Sequence, residues 1–189
     1  MSGPGAAGSD GSDGRRRKGE ERRRLLREAT MRVIGRGGVA AVTQRAVAAE
    51  AGMTPSLVSY HFPTVDGLLS ATLAAVNDDW VAALARCAGH DDPLPALAGL
   101  VAAGAIDPTR TVDAEYELFL QAGRRPALRD EWVRWTRALD AVLAPVVADP
   151  RRRAAVAAAV DGLFLRCWCD PAPWSAADVE AVLRALVPG

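Results

Sequence analysis

Ser56, Ser59, Tyr60 and His61 gather small or polar side chains within one short stretch. A helix entering the DNA major groove needs such a face, because bulky charged side chains block close approach to base edges. A second kind of chemistry lies further on. Tyr116, Phe119 and Leu120 share one helical face, Trp132 and Trp135 lie three apart, and Phe164 and Trp168 lie four apart. Aromatic stripes of this kind fill cores and interfaces, or line an apolar cavity between helices. Trp80 has the same two options, core or ligand box.

Elements able to position the polar face are written into the flanking residues. Thr43 is a good N-cap, and Gly52 a good terminator, so 43–52 is expected to be a short helix. Thr54 and Pro55 restart a helix as N-cap and first helical residue, carrying Ser56 to Phe62. Val47, Ala51, Met53, Val58 and Phe62 supply a small apolar core for the pair. A longer helix precedes it, from about Glu20 to Arg36, with Leu25, Leu26, Ala29, Val33 and Ile34 forming its stripe. Gly37 and Gly38 end it. The run from Gly35 to Ala40 matches the dinucleotide pattern G-x-G-x-x-A. It trails a helix instead of following a strand, so it is taken as a helix stop.

After Pro63, Thr64 can cap a long helix over about 65–87, with Leu68, Leu69, Leu73, Val76, Trp80 and Leu84 inward. Further helices are expected at about 94–104, 112–122, 126–147, 151–169 and 175–187, and no strand is expected. Residues 1–18 are expected to be a disordered arm. Its run Arg15-Arg16-Arg17-Lys18 can follow a phosphate backbone or simply solubilise the chain.

Charge supports two tasks. The 189 residues carry 23 basic and 23 acidic side chains, a net charge of zero. Residues 1–62 hold 11 Arg or Lys against 6 Asp or Glu, and residues 63–189 hold 12 against 17. A basic front and an acidic rear suggest one end that faces nucleic acid. No apolar run is long enough to span a membrane, and the N-terminus lacks a secretory h-region. The chain is therefore expected in the cytoplasm, with Cys87, Cys167 and Cys169 reduced. His61 and His90 are the two histidines. No Ser-His-Asp setting, P-loop or H-E-x-x-H motif accompanies them, so no enzyme, cofactor or metal is expected. Cys167 and Cys169 point to different sides of a helix and are not expected to form a metal or redox pair.

The stretch from Ala41 to Phe62 resembles the DNA-binding segment of the tetracycline-repressor (TetR) family. The preceding helix and the leucine-rich one after Pro63 resemble that family's first and fourth helices. The resemblance covers residues 21–73, with weaker echoes at Leu120 to Arg129 and at Asp161-Gly162-Leu163. It implies an all-α fold: a three-helix, homeodomain-like head over 19–63 and a helical ligand-binding and dimerisation domain over 64–189. It implies a transcriptional regulator, a repressor that leaves a palindromic operator when a small apolar or amphipathic effector binds.

By the same resemblance, Thr43 caps a helix and touches a phosphate. Gln44 joins the DNA-facing set, and Arg45 reads bases. Pro55, Ser56 and Ser59 face base edges or thymine methyls, and Tyr60 and His61 reach the backbone. Val65 departs from the pattern, standing where a phosphate-binding Lys is usual. Trp80, Tyr116, Phe119, Trp132 and Phe164 are the candidate effector residues. A homodimer is expected through the helices at 126–147 and 151–169, with Gly162 permitting close approach. Bland alternatives stay open: a solvated Arg45, a Tyr60 in the local core, a His61 that only caps its helix. So do a regulator without a small ligand and a helical enzyme whose helix-turn-helix is structural.

Overall fold

A computed structural model describes residues 10–106 and 111–187, with side chains from Asp13 onward. Among the described residues the chain is helical and has no strand. The helices are α1 (Asp10–Gly37), α2 (Gln44–Ala51), α3 (Pro55–His61), α4 (Val65–Ala88), α5 (Leu94–Ala105), α6 (Val112–Leu120), α7 (Arg129–Leu143), α8 (Pro150–Cys169) and α9 (Ala176–Leu186). The chain divides into two compact units, Met1–Thr72 and Leu73–Gly189. We call them the head and the body. The division falls inside α4, so that helix opens in the head and continues in the body.

The head is built on a stripe of α1. Leu26, Ala29, Val33 and Ile34 are buried, as are Val47, Ala48, Val58 and Phe62. α1 packs on α2, and α2 on α3. Thr30 is fully buried because its hydroxyl donates to the Leu26 carbonyl at 2.8 Å, which satisfies the polar atom within its own helix.

α1 begins at Asp10, well before the apolar stripe. This corrects the expected disorder of residues 1–18 for its second half; residues 1–9 lie outside the described residues. The added turns have charge pairing in place of an apolar face. Arg17 reaches Asp13 at 2.7 Å, and Arg24 reaches Glu21 and Glu28 at 2.6 and 2.5 Å. Each such pair stabilises a helix by about 0.2–0.5 kcal/mol. Extending a helix that already exists avoids the cost of nucleation.

The body's core lies where α5 packs against α8 and α9, and α7 against α8. Leu84, Leu97, Leu139, Leu143 and Leu183 are nearly or completely buried there. Side-chain caps fix two of its helices. Asp149 accepts from Arg152 N at the start of α8, and Ser175 and Asp178 form a reciprocal capping box on α9. α7 is shorter than the expected 126–147. A 3-10 turn at Pro126–Leu128 precedes it, and it stops at Leu143, ahead of Pro145. Proline has no amide to donate and disfavours helix in the residue before it.

Candidate nucleic-acid interface and effector cavity

α2 and α3 are joined by a turn whose geometry follows from three residues. Thr43 accepts from Ala46 N at 3.0 Å and starts α2. Gly52 ends it in the left-handed region at φ 64°, a conformation that costs glycine little. Thr54 then accepts from Leu57 N at 3.3 Å, with Pro55 as the first residue of α3.

Gln44 locks the pair. Its amide nitrogen donates to the carbonyls of Phe62 and Pro63 at 2.9 and 3.1 Å, and its oxygen accepts from the Ser59 hydroxyl at 2.7 Å. Both amide protons and the Ser59 proton are therefore used inside the head. Gln44 ties the first turn of α2 to the end of α3, and both side chains face inward to each other. Arg45, Ser56 and Tyr60 face solvent, Tyr60 with 80% exposure. Thr43 and Pro55 are exposed as well. The exposure of Tyr60 removes it from the local core. Its ring meets His61 edge-on at 5.1 Å.

Sequence reasoning did not find the residues that brace this surface from α1. Arg23 lays its guanidinium 4.7 Å from the Phe62 ring centroid and reaches the His61 carbonyl at 3.4 Å. That carbonyl belongs to the open C-terminal end of α3, where a cation is favourable. Glu50 on α2 accepts from Arg32 at 2.5 Å and also pairs with Arg36. Hydrogen bonds from these two arginines hold its carboxyl below the usual carboxylate range. His61 is held below the usual imidazole range by burial and by the charges of Arg23 and Arg22. Its Nε2 is buried without a hydrogen-bond partner among the described residues. At α4, Thr64 caps through Gly67 N at 3.0 Å, and the neighbouring Val65 offers no charge to a phosphate.

The body contains a cavity of about 190 Å³. All five candidate effector residues line it: Trp80 from α4, Tyr116 and Phe119 from α6, Trp132 from α7 and Phe164 from α8. Trp135 joins them. Trp80 meets Trp135 and Phe164 edge-on at 6.3 and 5.4 Å, Tyr116 stacks on Phe164 at 6.2 Å, and Phe119 meets Trp132 at 5.2 Å. Gly104 on α5 makes room for this box, because a Cβ there would overlap the six-membered ring of Trp80.

Three polar residues on the wall were not singled out from sequence. Asn77 donates to the Glu131 carbonyl and carboxylate at 2.9 and 3.0 Å. The Trp80 indole N–H donates to Glu115 at 3.0 Å, and that of Trp135 donates to Asp161 at 3.1 Å. Burial raises the Asp161 carboxyl above its ordinary range, with the Trp135 hydrogen bond opposing. Asp161 had a signal in the sequence: it sits three residues before Phe164 on the same helical face.

Among the described residues no helix is long and apolar enough to cross a membrane. No group of His, Cys, Asp and Glu among them is placed to hold a metal ion. Cys87 and Cys167 are buried thiols, and Cys169 is exposed.

A helix-turn-helix head followed by a hollow, all-helical body defines a class of DNA-binding regulators. Residues 26–72 match the model for bacterial regulatory proteins of the tetR family, and residues 88–189 match the tetracyclin repressor-like C-terminal domain. The chain is 33% identical to the HTH-type transcriptional regulator BetI of Paraburkholderia phytofirmans, covering 87% of this chain and 89% of the relative. BetI of Rhizobium meliloti is also 33% identical, over 82% of this chain and 81% of its own. A TetR-family structure from Streptomyces coelicolor A3 superposes with a TM-score of 0.79 at 33% identity, covering 89% of this chain and 99% of the other. The multidrug binding protein EbrR, complexed with malachite green, gives 0.79 at 33% over the same shares. Its complex with ethidium gives 0.74 at 34%, over 88% and 98%. The chain belongs to the TetR family of DNA-binding transcriptional regulators.

Proposed function

We propose that the chain is a repressor that binds a palindromic operator as a homodimer and leaves it when a small apolar or amphipathic molecule fills the body's cavity. One observation carries this: α4 begins in the head and supplies Val76, Asn77, Trp80 and Leu84 to the cavity wall. A ligand that prefers one position of those residues biases the helix from which the head extends. Ligand and operator then favour different conformations and oppose each other. The ligand complexes of EbrR support an effector role for this cavity.

On the DNA side, Arg45 reads bases, Pro55 and Ser56 approach base edges, and Thr43, Tyr60 and His61 meet the backbone. Gln44 and Ser59 hold the reading helix in place. The homodimer, expected through α7 and α8, is supported on α8 by the exposed run of Ala154, Ala158, Gly162 and Leu165. These residues fall on one helical face and are small enough for a second helix to approach. Two heads on a palindrome multiply modest single contacts.

Selection from a random-sequence duplex pool supplies the operator for the test. Arg45→Ala and Tyr60→Ala should each weaken binding to it by about tenfold to a hundredfold, the size of one good base or backbone contact. Circular dichroism should remain unchanged. Unaltered affinity in both variants refutes the assigned surface.

A further inference from the structure

The charge on the cavity wall has one sign. Glu115 and Asp161 face in, and no Arg, Lys or His contributes to the lining. Elsewhere in the body, carboxylates meet arginines: Glu131 with Arg134, Asp140 with Arg153, Asp92 with Arg184. Asp161 receives only the Trp135 indole N–H among the described residues. A carboxylate accepts about four hydrogen bonds, so most of its capacity is unfilled. The rings around it have electron-rich faces, which attract cations.

We infer that the cavity takes a monocation, an aromatic or quaternary ammonium molecule whose charge lies against Asp161 and Glu115 and whose apolar body lies among the rings. The inference rests on the cavity being the effector site. An anion meets two carboxylates and no counter-charge. A neutral molecule displaces the water that still solvates Asp161 and replaces it with nothing polar. A cation supplies the missing partner and is drawn to the ring faces as well. The same burial that holds the Asp161 carboxyl above its ordinary range makes a resident positive charge favourable there. Glu115 already accepts from Trp80, which leaves Asp161 as the principal counter-ion and favours a single positive charge.

The test uses two probes of nearly the same shape, phenyltrimethylammonium and its neutral counterpart tert-butylbenzene. Binding is read from the emission of the cavity tryptophans at mildly alkaline pH, and release from the selected operator duplex is measured in parallel. The cation should bind at least about tenfold more tightly than the neutral probe. Asp161→Asn should bring the ratio close to one while the variant keeps its helicity and still binds operator. Glu115→Gln should lower the ratio less, and it decides the matter together with the wild-type ratio if Asp161→Asn does not fold. Equal or tighter binding of tert-butylbenzene, with operator release, overturns the charge preference and leaves the effector site standing. If neither probe binds or releases operator, both ideas fail.

Discussion

The head and the body treat their polar side chains in opposite ways. In the head, Gln44, Ser59, Glu50 and Arg23 are spent on one another and on the ends of helices, so the surface they support is stiff. In the body, Asp161 keeps unused capacity beside a cavity, and the aromatic rings around it touch at their edges. A surface that must match a fixed ladder of bases gains from having no slack. A site that must change when something arrives gains from unfilled capacity.

The sharpest way to break this contrast is to fill the hollow side from within. Gly104→Ala places a methyl group where the Trp80 ring now lies. It should cost about 1–3 kcal/mol by overpacking and push the indole into the cavity. Thermal melting and probe binding check it: effector response should be lost and operator binding kept. Wild-type probe affinity in this variant removes Trp80 from the site.

Loosening the stiff side should have a somewhat smaller effect. Gln44→Ala removes the three bonds that tie α2 to the end of α3. A loss of about 1–2 kcal/mol follows from their partial exposure. Operator affinity should fall although no base contact is removed, and equally for the preferred operator and for single-base variants of it. A loss confined to one base position assigns Gln44 to readout instead.

The smallest effect is a slope. The folded state holds the Asp161 proton more tightly than the unfolded state, because burial raises its carboxyl. Stability therefore declines as pH rises from the ordinary Asp range through the raised value. The side chains around it are Trp135 from α7 and Tyr116 from α6. The Tyr116 phenol is itself raised, by burial and then by the Asp161 charge, so it stays neutral throughout. Asp161→Asn should flatten this part of the melting profile and leave the unliganded protein at least as stable near neutrality. An unchanged slope means that Asp161 is well solvated.

Local grammar made the head legible. Thr43, Gly52, Thr54 and Pro55 act on the chain within a turn of themselves, and the structure gives α2 and α3 those boundaries. The long helices follow the apolar stripes for the same reason. The inward turn of Gln44 was not legible, because its partners Ser59, Phe62 and Pro63 lie in the next helix and beyond. Arg23 was hidden the same way, as one arginine among many on α1 until tertiary packing set it over Phe62. In the body, periodicity supplied the aromatic residues but not the acids. A stripe reports which side of a helix is buried. It does not distinguish a solid core from a cavity whose wall includes a carboxylate. The start of α1 was missed because charge pairing, with no apolar stripe, marks its first turns.

The continuity of α4 has a consequence in the language of linkage. If occupancy of the cavity weakens the hold on DNA by some factor, DNA must weaken the hold on the effector by that same factor. Protein resting on its operator is then a poorer receptor than protein free of it. The threshold for induction is set by the affinity of the DNA-bound form, and stronger operators respond only to higher effector concentrations.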